Sequence, residues 1–79
     1  MRKIEQQMIQ AIKAKKTWSH NNTAVIYDKV IDVSFVFLHG NQIGYHDHDD
    51  GLFFPNYKTL RDWPTRTTKS RLRALGVSV

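Results

Sequence analysis

The chain closes on a helix whose two ends are both written into the sequence. Pro64 fixes its own φ and biases Trp63 towards extended backbone, so no helix is expected to run back through this point. Gly76 is the residue type that most readily takes the left-handed conformation in which helices stop. Between them, Thr65, Thr67 and Thr68 are all suited to accept a hydrogen bond from a first-turn amide, and Thr67 is the expected N-cap. At about 100° per residue, Thr68, Leu72 and Leu75 fall on one side of this helix, while Arg66, Lys69 and Arg73 cluster on another. The rest of the chain must therefore supply an apolar surface for the two leucines. Arg71 and Arg73 stand where cations suit the negative end of the helix dipole.

That surface has to come from little material. The chain has 79 residues, read as one domain over 1–79, and folding at this size buries only about 60% of the unfolded surface, so each large apolar side chain matters. There is no cysteine, which removes disulfides and thiolate metal sites. No apolar run of about 18 residues is present, and the N-terminus lacks the apolar segment of a secretory signal. The expectation is a soluble, cytoplasmic protein with no membrane partner.

Residues 2–16 read as an amphipathic helix. Ile4, Met8 and Ile12, with Ile9 and Ala11, give a buried stripe, and Lys3, Gln6, Gln7, Gln10, Lys13 and Lys16 fill the remaining surface. Thr17 to Asn22 reads as a polar connection. β-branched and aromatic residues then dominate: Thr23–Tyr27 and Ile31–Leu38 are expected strands, His39 to Gln42 a turn, and Ile43–His46 a third strand. In the second strand Ile31, Val33, Phe35 and Phe37 share one face, and Asp32, Ser34, Val36 and Leu38 the other, with that other face also partly covered. After the polar turn Asp47–Gly51, Leu52–Phe54 is a fourth short strand stopped by Pro55, and Asn56 to Asp62 is either a loop or an extra strand around Tyr57. The expected fold is α+β: an N-terminal helix, a three- to four-stranded antiparallel meander and a C-terminal helix. Both helices pack on one face, with Trp63 near their junction with the sheet.

Charge along the chain is segregated. Residues 1–22 carry +4, residues 23–57 carry −4 and residues 58–79 carry +5, within a net charge of +5. The two ends either complement the acidic middle or come together as one positive surface for an anionic partner. The candidates for the second case are Lys13 and Lys16 in the first helix, and Arg66, Lys69, Arg71 and Arg73 in the last. His46, His48 and Asp50 would share a strand face and resemble weak metal ligands, but Gly51 stands where a further histidine would complete a metallo-hydrolase pattern. No metal or other cofactor is expected. Gly-x-Ser-x-Gly, Walker and dinucleotide motifs are absent, and Ser34 and Ser70 have no base near them in sequence, so no enzyme activity is expected.

Three runs of residues carry a family resemblance: Trp18-Ser19-x-x-Asn22-Thr23-x-Val25, Leu38-His39-Gly40-Asn41-x-Ile43, and Trp63-x-Thr65-x-Thr67-Thr68-Lys69-Ser70-Arg71-Leu72-x-Ala74-Leu75. In these the chain resembles small accessory proteins of tailed bacteriophages, including marine ones, and departs from them between Asp47 and Asp62. The resemblance implies an accessory protein acting in the host cytoplasm by binding, and it assigns no functional residue. The leading expectation is a binding module that contacts nucleic acid or an acidic host protein through basic helix faces. Its rival is a protein-interaction or host-inhibitor module using the sheet face or an edge strand; a His/Asp metal protein ranks third.

Overall fold

A computed structural model describes residues 1–79. The order is α1 (Lys3–Lys13), β1 (Trp18–His20), β2 (Thr23–Asp28), β3 (Val33–Leu38), β4 (Asn41–Asp47), β5 (Leu52–Pro55), α2 (Tyr57–Asp62) and α3 (Arg66–Ala74). The five strands form one antiparallel meander in sequence order. The fold is the expected α+β arrangement, with one strand and one helix more than the sequence suggested.

The added strand is β1, in the segment read as a polar connection. Asn21 takes a φ of 52°, and the tight turn lets Trp18 pair with Val25 and His20 with Thr23. Trp18 supplies the apolar content, packing against the core while Ser19 and His20 stay exposed. The added helix is α2, where a loop or strand was expected: the Asn56 side chain accepts a hydrogen bond from the Thr59 amide at 3.2 Å and starts a short helix directly after the edge strand. β3 begins at Val33 and not at Ile31, because Asp32 adopts a φ of 55°. The His39–Gly40 turn has positive φ at both residues, as a two-residue hairpin of this twist requires. α3 is capped by Thr65, whose Oγ1 accepts from the Thr68 amide at 3.1 Å, two residues earlier than the Thr67 expected.

Strand alternation sorts the side chains between a face covered by the helices and an open one. Val25, Val36 and Leu38 lie under the helices, and with Met8, Ala11, Ile12, Ile43 and Leu72 they make up the buried apolar centre; Thr23, on the same face, is buried beside them. Phe35 and Phe37, on the face with more apolar weight in the sequence, point away from the helices. A bulge between Val36 and Phe37 places Ile43 in the core, and at Gly44 an added Cβ would lie 2.6 Å from the Phe54 carbonyl oxygen and collide with the Phe53 ring. Only glycine leaves β5 room to pair there.

Two charges lie inside this core. Glu5 and Arg71 are each 3% exposed; the Arg71 Nη1 donates to Glu5 Oε2 at 2.8 Å, and its Nε donates to Thr23 Oγ1 at 3.0 Å. The Ser70 hydroxyl also donates to Glu5 Oε2, and the Arg2 amide to Oε1. Arg71 is thus not one of the exposed cations the sequence suggested: it joins α3 to α1 and β2.

Burial alone would raise the Glu5 pKa, but the hydrogen bonds from Ser70 and Arg71 outweigh it and hold the carboxyl below its ordinary 4.5. A depressed folded value means stability that is fully present above the unfolded pKa and lost as pH falls through the folded one. Denaturant titrations from neutral to acid pH should show this loss below about pH 4.5, and Glu5→Gln should flatten that limb; an unchanged limb would contradict the assignment.

Candidate functional site

The positions of the charges follow from the topology. The β2–β3 and β4–β5 turns lie at the same end of the meander and carry Asp28, Asp32, Asp47, Asp49 and Asp50 within or beside them. Lys15 reaches Asp32 at 3.1 Å, and the Tyr27 amide donates to Thr17 Oγ1, so α1 also ends here. Glu5 meets Arg71 near the start of α1, while Ile12 and Leu75 line a common cavity near its end, so α1 and α3 run in the same sense. The opposite end of the sheet receives the first turns of both helices, with Arg2, Lys3 and Arg66.

Among 12 Lys and Arg residues, only Lys15, Arg61 and Arg71 have a side-chain carboxylate partner. Arg66, Lys69 and Arg73, spaced i, i+3 and i+7, share one face of α3 and have none. Arg66 and Arg73 are exposed, Lys69 is half-buried, and Arg73 Nε donates to the Val79 carbonyl at 2.7 Å. Lys13 and Lys16 are exposed but diverge: Lys13 borders a cavity shared with α3, whereas Lys16 borders a shallow depression beside Trp18. The cations form separate groups, of which the α3 row is the most regular.

The histidines come together without Asp50. The His46 and His48 rings lie 4.7 Å apart between centroids, but the Asp50 carboxylate accepts the Leu52 amide at 3.0 Å and holds the turn. No cluster of three or more His, Asp or Glu side chains is placed to hold a metal ion.

Sequence reasoning missed a polar relay around these rings. Lys15 and the Tyr27 hydroxyl both donate to Asp32, the latter at 2.7 Å, the Tyr27 ring meets His48 edge-on at 5.6 Å, and His48 Nε2 lies 2.8 Å from Ser34 Oγ. The Tyr27 hydrogen bond, followed by that from Lys15, holds Asp32 below the usual carboxylate range, while the same bond pushes the Tyr27 phenol up. Burial, and then the charge of His48, lower the His46 pKa. Ser34 does have an imidazole partner, supplied from 14 residues away across the β3–β4 pairing, yet it is fully buried and offers no open path to a substrate. The signal for it was the alternation of β3, which put a serine among core-facing residues.

The other sheet face carries a row in register across four strands, Ile26, Phe35, Tyr45 and Phe54. Tyr45 stacks on Phe54 at 5.2 Å and approaches Phe35 at 6.1 Å. No helix covers this row, and Ile26 remains 47% exposed.

Against known proteins, the family model described as Kyanoviridae Gp96 protein matches residues 1–78. No curated protein and no solved structure matches the chain significantly. No helix is long and apolar enough to cross a membrane.

Proposed function

The chain belongs to the Kyanoviridae Gp96 protein family, a family of phage proteins, and from that premise we propose that it is a non-enzymatic accessory module that binds an anionic partner in the host cytoplasm. Nucleic acid is the first partner to test. The observation that carries this reading is the α3 row: Arg66, Lys69 and Arg73 lie on one face without a side-chain carboxylate partner, Arg73 alone being tied back to Val79, while most carboxylates gather at the far turns. Cations held on a rigid helix at one-turn spacing suit successive phosphates. Attraction of this kind is independent of base sequence and weakens steeply with salt. The Thr-Thr-Lys-Ser-Arg-Leu run then combines two roles, with Lys69 facing outwards and Arg71 and Leu72 facing the core.

The uncovered aromatic row favours a second reading, a protein-binding sheet face. Asp28 and Asp47 flank that row, which disfavours phosphates there and suits a partner with basic residues around an apolar centre.

For the first reading, binding to duplex and single-stranded nucleic acid should fall linearly on a log–log salt plot. The slope on a duplex should be about −2 to −3 if the α3 row makes two or three phosphate contacts. Lys69→Glu combined with Arg73→Glu should weaken binding by roughly ten- to a hundredfold and flatten the slope. No binding at low salt, or no loss in the double variant, contradicts it. For the second, sedimentation across concentration should show a self-association or a stable partner complex that Phe54→Asp removes; a complex unaffected by Phe54→Asp places the contact elsewhere.

A further inference from the structure

Between the ends of α1 and α3 and the rim of the sheet lies an open cavity of about 360 Å³, which neither reading above uses. Its floor is apolar, made by Ile9 and Ile12 of α1, Phe53 of β5 and Leu75 beyond α3. Its polar lining is Lys13, His46 and His48. Every ionisable group lining it is therefore cationic or becomes so by taking up a proton. The volume stands at the lower end of the range for small-molecule sites.

We infer that this cavity binds a small amphipathic anion, an aliphatic or aromatic carboxylate, with its apolar body against Ile9, Ile12, Phe53 and Leu75 and its charged head at Lys13, His46 and His48. The chemistry follows from the lining. An apolar body gains from leaving water, and an anionic head meets an ammonium and two imidazoles with no carboxylate in the wall. Asp47 and Asp50 are the nearby acids: both carboxylates accept turn amides, from Asp49 and Leu52 respectively, and Asp47 lies on the strand face opposite to His46. The α3 side contributes only Ala74 and Leu75, β5 contributes Phe53, and the α1 side contributes Lys13. Beyond His48, Asp32 is already engaged by Lys15 and Tyr27. His46 stands on the core face of β4, and His48 is steadied by Ser34, so the head group meets positioned rings and not free side chains. The bound anion favours protonated imidazole, so binding should take up protons and tighten as pH falls through the histidine range.

Octanoate and benzoate are suitable probes, followed by NMR of the histidine ring and methyl signals in the full chain. Octanoate should shift His46, His48, Ile9 and Leu75 together, bind several-fold tighter at about pH 6 than at about pH 8, and lose roughly tenfold in affinity in Lys13→Gln, an exposed position where the fold is not at stake. His46→Gln should reduce the pH dependence. Octylamine binding as well as octanoate, shifts centred on Phe35 and Tyr45 instead, or affinity indifferent to both pH and Lys13→Gln would each overturn the assignment.

Discussion

The Glu5–Arg71 ion pair is the contact on which the arrangement of helices over the sheet depends. Placing two opposite charges in a core is costly, and it is tolerated only where both are paired and their remaining hydrogen-bonding capacity is met. Here Glu5 receives Arg71, Ser70 and the Arg2 amide, while Arg71 also meets Thr23, so one small network joins α1, α3 and β2. No buried side-chain nitrogen or oxygen is left without a partner. An apolar cluster such as that of Met8, Val36 and Leu72 would tolerate some sliding or rotation, since area burial is not directional. The ion pair is directional, and it fixes which face of α3 turns inwards.

That orientation also fixes the outer surface. With Thr68, Arg71 and Leu72 inside, Arg66, Lys69 and Arg73 must lie outside. With both helices running towards the acidic turns, the first turn of each lies at the end poor in carboxylates. The same packing leaves the ends of α1 and α3 slightly apart above His46 and His48, which is the origin of the cavity there. The proposed binding face and ligand cavity thus follow from one helix placement, and the sheet's far side stays uncovered because α2, through Thr59 and Leu60, also packs on the core side.

Much of this was legible in the sequence. The Met8/Ile12 stripe and the Leu72 seam follow from local periodicity and are where expected; the β3–β4 turn is also present but tighter than the His39–Gln42 turn expected, because His39 and Gly40 both take positive φ and Asn41 already opens β4. The misses share a different cause. β1 is three residues long and depends on pairing with Thr23–Val25, so no window within Thr17–Asn22 announces it. α2 rests on one Asn56 cap after an edge strand, a signal too small to override the β-like Tyr57. The inward face of β3 is the one with Ser34 because the helices, and not the strand's own apolar weight, choose the covered side. Arg71 looked like its neighbours because charge in a sequence carries no information about a carboxylate 66 residues away. The histidine pair was visible as spacing, but its partner Ser34 and its apolar floor come from strand register and helix packing.

The most direct test of the account is a double-mutant cycle on Glu5→Gln and Arg71→Met, followed by denaturant unfolding. Breaking either side alone should cost about 3 to 5 kcal/mol, because the remaining charge stays buried without its partner. The double variant should cost less than the sum, by a coupling of about 1 to 3 kcal/mol. Additive losses would contradict the account, since they would mean that Arg71 and Glu5 act independently and that something else sets the inward face of α3.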